Sequence, residues 1–168
     1  MIEALIGLGA NLGERERTLR RGIWSLGLPI AAVSSLYESV PVETEITQPN
    51  YLNAVAALLV PRGMAPRQLL GRLLEVEASL GRVRGPGKPP RTLDLDLLLF
   101  DGISTDELGL SLPHPGLLRR RFVLEPLLEV RPAAQLPDGR PIAPWLAASR
   151  DQEVRPVTGR CWWWRIAD

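Results

Sequence analysis

The sequence has almost no cysteine, histidine or lysine: Cys161, His114 and Lys88 are the only residues of these types in a chain of 168. A single cysteine cannot form an internal disulfide or supply a cysteine-based zinc site, so we expect the reducing cytoplasm as the compartment. Long apolar runs are also missing, since no segment approaches the roughly 18 residues of a membrane span. The first residues lack the basic start and apolar stretch of a signal peptide. We therefore expect neither export nor membrane association.

An excess of charge of either sign is absent as well, because the formal net charge is +1. Proteins that bind nucleic acid usually carry a strongly basic face, so we expect no nucleic-acid partner. The length, with 45% hydrophobic and 23% charged residues, predicts one globular domain at 1–159. The tail at 160–168 contains three consecutive tryptophans, which cannot all face one core from a strand. We interpret this tail as a surface docking or self-association patch.

Hydrophobic periodicity predicts the order strand, helix, strand, strand, helix, strand. The predicted strands lie at 2–8, 30–38, 51–60 and 91–100, and the predicted helices at 14–26 and 65–80. This order is typical of a ferredoxin-like fold. We therefore predict an α+β protein with a βαββαβ core, an antiparallel sheet and added C-terminal helices at 117–130 and 142–148. Glycines and prolines at 85–90 predict a loop, which we interpret as a lid ordered by substrates.

Two carboxylates interrupt the last predicted strand of this core. Because side chains alternate along a strand, Asp94 and Asp96 should point to the same side, together with Phe100, while Leu99 points to the other. Like charges placed so closely are costly unless cations neutralise them. Carboxylates for divalent ions, next to arginines for phosphates, indicate phosphoryl transfer. The alternative is a pair of solvent-facing acids bonded to arginine, which is common for an isolated Asp-x-Asp. The neighbouring cations are Arg82, Arg84, Lys88 and Arg91.

Five short motifs, in this order and spacing, resemble those of the 6-hydroxymethyl-7,8-dihydropterin pyrophosphokinase family over about residues 1–155. They are the segments at 9–13, 48–53, 77–84, 90–96 and 112–122. The resemblance implies an ATP-dependent diphosphokinase of folate biosynthesis. Such an enzyme moves the terminal pyrophosphate of ATP onto the pterin hydroxymethyl group and releases AMP. The implied ligands are ATP, two Mg²⁺ ions and 6-hydroxymethyl-7,8-dihydropterin, and we expect a monomer.

The resemblance also implies a role for each matching residue. The catalytic residues would be Arg82, Arg91, Asp94 and Asp96, and the two aspartates would hold the Mg²⁺ ions. The nucleotide would be bound by Glu77, Arg82, Arg84, Arg91, Leu97, His114 and Arg120. The pterin would lie between the rings of Tyr51 and Phe122, and its polar edge would be bound by Asn53. Further pterin contacts would come from Ser39, Val40 and Val42.

A purely structural role remains an alternative for several of these residues. A lone histidine is more often structural than functional, and Tyr51 and Phe122 could equally belong to the core. Arg119 and Arg121, which flank Arg120, are expected to face solvent. An RNA-binding module on the same fold would display aromatic side chains on its central strands, where this sequence has aspartates. The closer alternative is another Mg²⁺-dependent phosphoryl or nucleotidyl transferase acting on a different small alcohol.

Overall fold

The computed structural model describes residues 1–42, 47–82, 90–157 and 163–165. Within them, a six-stranded sheet forms the centre of the molecule. Its strands are β1 (Ile2–Ala10), β2 (Ile30–Val33), β3 (Tyr37–Ser39), β4 (Tyr51–Val60), β5 (Asp94–Phe100) and β8 (Val154–Pro156). A separate hairpin consists of β6 (Thr105–Glu107) and β7 (Leu110–Leu112). The order is β5-β1-β4-β3-β8, all neighbours are antiparallel, and β2 also pairs with β4. This arrangement confirms the predicted antiparallel ferredoxin-like sheet.

Helices cover both faces of this sheet. On one face, α1 (Arg15–Ser25) and α2 (Pro66–Ser79) bury apolar side chains at helical spacing, such as Leu69, Leu73 and Val76 of α2. The other face is covered by α3 (Arg121–Val130), with α4 (Ala143–Ala148) beside it. Short 3₁₀ turns lie at Leu117–Arg119 and Trp163–Arg165. The predicted C-terminal helices are therefore present, and they form the second helical layer.

The prediction of a single strand at 30–38 is wrong, because the chain breaks into β2 and β3. At the break, Ser34 is 1% exposed, and its backbone N–H donates to the Val55 carbonyl at 2.9 Å. The Ser34 hydroxyl then accepts from the Val55 N–H at 3.0 Å. The Ser34 hydroxyl thus accepts the hydrogen bond that a backbone carbonyl would accept in a regular ladder. The strand is interrupted here, but the Val55 N–H and carbonyl both keep a partner. The β6–β7 hairpin and β8 were not predicted.

A bulge in β5 changes which face two of its side chains occupy. Leu97 lies opposite Ile6, but the next pair along the strands is Leu99 with Leu5, so Leu98 is an additional residue. Phe100 consequently packs in the core under α1 and α2, and Leu99 packs on the α3 side. The predicted faces of these two residues are therefore wrong. A bulge of this kind redirects side chains at a defined point of a strand.

The described part of the C-terminal tail packs against the domain. Trp163 is 1% exposed within the core cluster of α1 and α2, and its indole N–H donates to the Ser34 carbonyl at 2.9 Å. The ring of Trp164 lies 6.4 Å from that of Trp24, whose indole N–H donates to the Trp164 carbonyl at 2.8 Å. The interpretation of the tail as a surface patch is therefore wrong for Trp163. This tryptophan fills the core instead.

No helix within the described residues has the length and apolar character that crossing a lipid bilayer would require.

Candidate active site

A cavity opens on the α3 side of the sheet, between β1, the end of β3, the start of β4 and the start of α3. Two glycines of β1, Gly7 and Gly9, form part of its floor. A Cβ atom on Gly9 would lie 3.6 Å from Asn53 Oδ1 and 3.8 Å from both Asp94 Cβ and Tyr51 Cδ1. The missing side chains therefore leave space for a ligand against the sheet.

The cavity brings together all six residues predicted to bind the pterin. The lining includes Ser39, Val40, Val42, Tyr51, Asn53 and Phe122. Tyr51 is the first residue of β4 and Phe122 the second of α3, and both rings are only partly buried. Their position at an open cavity favours the binding interpretation over a role in the core. Burial raises the pKa of Tyr51, whose protonated hydroxyl lies 3.4 Å from Gln48 Oε1.

Asn53 is held in one orientation by the neighbouring strand. Its Nδ2 group donates to Ser39 Oγ at 2.9 Å and to the Tyr37 carbonyl at 3.3 Å. Both amide hydrogens are thus used within the protein, and Oδ1 is the group that lies above Gly9. Asn53 would therefore meet a ligand as a hydrogen-bond acceptor.

The carboxylate of Asp94 lies between two arginines. Arg82 Nη1 is 2.7 Å from Asp94 Oδ1, and Arg91 Nη1 bonds Asp94 Oδ2. The same Arg82 nitrogen also bonds Glu77, which is 1% exposed and accepts from the Leu95 N–H at 2.7 Å. Glu77 therefore fixes Arg82 against β5 from inside the protein. Two cations and a carboxylate therefore meet where Arg91 and Asp94 line the cavity.

Asp96 lies in the cavity wall, two positions after Asp94 in β5 and on the same face of the strand. Burial, and after it the charge of Asp94, raise the pKa of Asp96, so a cation near this pair would be strongly favoured. His114 Nε2 is 3.8 Å from Asp96 Oδ1, and His114 Nδ1 accepts from the Gly116 N–H at 3.0 Å. Burial lowers the pKa of His114 and thereby favours the neutral ring, whose proton is then on Nε2 and directed toward Asp96.

Arg120 completes the cavity at the start of α3. Its guanidinium carbon lies 5.9 Å from the centroid of the Phe122 ring, within the range of a cation–π contact. Arg119 is exposed, as expected, but Arg121 is partly buried and forms an ion pair with Glu125 at 2.7 Å. The expectation that Arg121 faces solvent is therefore wrong. The three consecutive arginines thus have different surroundings, and of the three only Arg120 lines the cavity.

Some predicted nucleotide residues lie outside the cavity lining. Leu97 is 3% exposed in the core, so any ligand contact would have to come from its backbone on the edge strand β5. Glu77 acts through Arg82, and His114 lines a second cleft, beside Pro113 and Pro115. Arg84, Lys88 and most of the predicted lid at 85–90 lie outside the described residues.

Other residues of the lining were not predicted as functional. They include Gly7, Pro41 and Gln48. Two glycines two positions apart in a strand share a face, so the sequence did contain a signal for the cavity floor. Gln48 and Pro41 lie in connecting segments; Gln48 opens the motif at 48–53, whereas nothing in the local pattern distinguishes Pro41.

The acidic pair suits Mg²⁺ by its chemistry. Among the residues that the structure describes, no group of three or more histidine, cysteine, aspartate or glutamate side chains could hold a metal ion. Asp94 and Asp96 nevertheless offer carboxylate oxygens at one wall of the cavity. Mg²⁺ is commonly bound by one or two carboxylates, with phosphate oxygens and water as the remaining ligands. This donor set fits a metal that arrives with a triphosphate.

Comparisons with known proteins are consistent with this geometry. A profile of the family described as 7,8-dihydro-6-hydroxymethylpterin-pyrophosphokinase (HPPK) matches residues 5–132. A Pseudomonas aeruginosa protein named 2-amino-4-hydroxy-6-hydroxymethyldihydropteridine pyrophosphokinase is 39% identical over 158 residues, which cover 92% of this chain and 96% of that protein. A Bacillus subtilis protein of the same name is 39% identical over 131 residues, covering 76% of this chain and 77% of the relative.

A solved structure with the same fold is Plasmodium falciparum HPPK-DHPS, wild type with SDX-DHP. It superposes with a TM-score of 0.70 at 12% identity, over 88% of this chain and 44% of that one. The chain thus spans less than half the length of this structural relative. At that identity the likeness establishes the fold alone.

Proposed function

The chain belongs to the 7,8-dihydro-6-hydroxymethylpterin-pyrophosphokinase family, and from this premise we propose that it transfers pyrophosphate from ATP to 6-hydroxymethyl-7,8-dihydropterin. The family assignment confirms the resemblance seen in the sequence. The observation that carries the proposal is one cavity with an aromatic pair, a buried amide, two carboxylates and two arginines. In the reaction, the pterin hydroxymethyl oxygen forms a bond to the β-phosphorus of ATP. The bond between that phosphorus and the α,β-bridging oxygen breaks, AMP leaves, and the hydroxyl proton is released.

The pterin would bind against Gly9, between Tyr51 and Phe122. Aromatic side chains bind a flat heterocycle by stacking, and the glycine floor allows the ligand to approach the sheet closely. Asn53 Oδ1 would accept a hydrogen bond from an N–H group on the pterin edge, because its amide hydrogens already bond Ser39 and Tyr37. Ser39, Val40 and Val42 would close the same end of the cavity.

The triphosphate would bind at the opposite end of the cavity. Asp94 and Asp96 would hold two Mg²⁺ ions, which neutralise phosphate charge and polarise the transferred group. Arg82 and Arg91 lie beside Asp94 and would bond phosphate oxygens there, while Glu77 keeps Arg82 in place. We assign Arg120 and the neutral ring of His114 to further nucleotide contacts. Such transfer depends mainly on alignment and charge, so a strong general base is not required.

The test is incubation with Mg-ATP and 6-hydroxymethyl-7,8-dihydropterin, followed by analysis of the nucleotides. AMP formed in a one-to-one ratio with pterin pyrophosphate would support the proposal. ADP would indicate ordinary phosphoryl transfer, and release of inorganic pyrophosphate would indicate nucleotidyl transfer; either result would refute it. Measuring activity against Mg²⁺ concentration at fixed ATP would test the two-ion assignment. If a second ion is needed, activity should continue to rise above the Mg²⁺ concentration at which all of the ATP is already bound to one ion.

We also propose that the enzyme is a monomer of the cytoplasm. One cavity of a single chain holds residues assigned to both substrates, so the assigned site needs no second subunit, and the single cysteine is consistent with a reducing compartment. Light scattering after size exclusion would test the monomer.

A further inference from the structure

Asn11 is a buried polar residue that none of the steps above uses. It directly follows β1, is 2% exposed and does not line the cavity. A buried amide is normally hydrogen-bonded through both its oxygen and its nitrogen. The partners of Asn11 therefore show which parts of the fold it connects.

One set of partners belongs to the phosphate end of the cavity. Asn11 Oδ1 accepts from the backbone N–H of Arg91 at 2.7 Å. The backbone N–H of Asn11 donates to the Arg91 carbonyl at 3.1 Å. This two-bond pairing fixes the backbone of Arg91, whose guanidinium bonds Asp94.

The other set of partners belongs to the pterin end. Asn11 Nδ2 donates to Gln48 Oε1 at 3.1 Å and to the Pro49 carbonyl at 3.2 Å. Gln48 lines the cavity, and its Oε1 atom also accepts from the hydroxyl of Tyr51. Both hydrogens of the Asn11 amide are therefore used toward the pterin end of the cavity, and its oxygen is used toward the phosphate end.

We propose that Asn11 is a positioning residue that sets the distance between the pterin wall and the phosphate wall. This inference rests on the proposed function. The walls come from distant parts of the chain, 37 and 80 positions from Asn11, and its amide bonds both. Transfer requires the hydroxymethyl oxygen and the β-phosphorus to be aligned, and a misplacement of about 1 Å can lower the rate about 100-fold. Loss of Asn11 should therefore lower kcat while each substrate still binds on its own.

Two substitutions separate the halves of this connection. Asn11→Asp keeps an oxygen that can accept from Arg91 but loses the hydrogens that bond Gln48 and Pro49. Asn11→Ala loses every side-chain bond at both ends and keeps only the backbone bond to the Arg91 carbonyl. We expect kcat to fall about 10-fold or more in each. The dissociation constants of the pterin alone and of a nonhydrolysable Mg-ATP analogue alone should change by less than about 3-fold, because each wall remains intact. Ser149→Ala is the control, since this 5% exposed hydroxyl bonds the Leu146 carbonyl at the end of α4.

Gln48→Met tests the pterin half of the connection from the partner residue and leaves Asn11 itself in place. Methionine is similar in size but cannot accept from Asn11, so kcat should fall, and the double variant with Asn11→Ala should be no slower than Asn11→Ala alone. Wild-type kcat in folded Asn11→Asp and Gln48→Met would overturn the proposal. The proposal would also be overturned if the Asn11 variants bound both substrates more weakly in proportion to their loss of thermal stability, with Ser149→Ala following the same relation. Absence of AMP formation by the unmodified enzyme would instead refute the proposed function.

Discussion

Replacing Gly9 with alanine would add one methyl group to the cavity floor and should have opposite effects on stability and on pterin binding. Gly9 lies inside β1 and pairs with Asn53 on one side and Asp94 on the other. The nearest protein atoms to the new methyl group would be 3.6–3.8 Å away, which is ordinary van der Waals contact. The substitution therefore creates no clash within the protein. The methyl group does, however, occupy the surface assigned to the pterin.

The expected magnitudes follow from this geometry. Alanine loses less backbone entropy than glycine on folding, so the free energy of unfolding should stay the same or rise by up to roughly 1 kcal/mol. A pterin forced against the methyl group would pay a packing penalty of about 1–3 kcal/mol. That penalty corresponds to a roughly 5- to 160-fold higher dissociation constant. Binding of a nucleotide analogue on its own should change little, because Arg82, Arg91 and Asp96 are not displaced.

Urea unfolding and calorimetric titration with pterin measure the two quantities. Gly71→Ala is the matched control, because Gly71 lies within α2, and a Cβ there meets no atom within 4 Å. It should stabilise the fold by about 1 kcal/mol without changing pterin affinity. Wild-type pterin affinity in a folded Gly9→Ala protein would refute the assignment of this floor to the pterin.

Three further predictions concern the acidic pair, the aromatic pair and the tail. Asp96→Asn should abolish turnover yet stabilise the fold at pH 7. Because the pKa of Asp96 is raised in the folded state, the stability that its protonated form contributes is complete below about pH 4 and is lost as the pH rises through the folded pKa. The free energy of unfolding, measured with denaturant, should therefore be higher for Asp96→Asn than for the wild type, and by more at pH 7 than at pH 4. An equal difference at the two pH values would contradict the direction of the pKa shift. Tyr51→Ala or Phe122→Ala should weaken pterin binding by about 1–3 kcal/mol in calorimetry, with little change for a nucleotide analogue, whereas equal losses would indicate a damaged fold. Trp163→Ala should lower the free energy of unfolding by about 3–5 kcal/mol, because it empties a buried site. Trp163→Phe should cost less, about 1–3 kcal/mol, mainly from leaving the Ser34 carbonyl without its donor; wild-type stability of Trp163→Ala would show that the core does not need this ring.

Long periodic segments could be predicted from the sequence. The strand at 51–60 has its predicted bounds, and the helix predicted at 65–80 is observed as Pro66–Ser79. Local pattern decides these elements because their apolar spacing has a single solution. The break at Ser34 could not be predicted, since it depends on bonds to Val55, which is 21 positions away. The bulge at Leu98 was equally hidden, because a run of leucines gives no alternation that would reveal a change of face.

The site was predicted as a set of residues but not as an arrangement. The resemblance identified Asn53 and Arg91, yet the orientation of the Asn53 amide depends on Ser39 and Tyr37. Asn11 belongs to the motif at 9–13, and only its buried bonds to Arg91 and Gln48 indicate the role proposed for it. Such contacts join positions far apart in the chain, and their geometry follows from the packed fold rather than from local pattern.

The two faces of the sheet divide stability and chemistry between them. The face under α1 and α2 is closed by a continuous apolar cluster that Trp163 completes. On the other face, α3 begins at Arg121 and covers β4 and the later part of β5, leaving the region of Gly7, Gly9 and Asp94 open. The bulge at Leu98 lies at the boundary: before it, β5 presents aspartates to the cavity, and after it, Leu99 joins the core beneath α3. An uninterrupted strand would turn Phe100 toward the cavity side and Leu99 away from α3. The extra residue thus allows one short strand to serve both the reaction and the core.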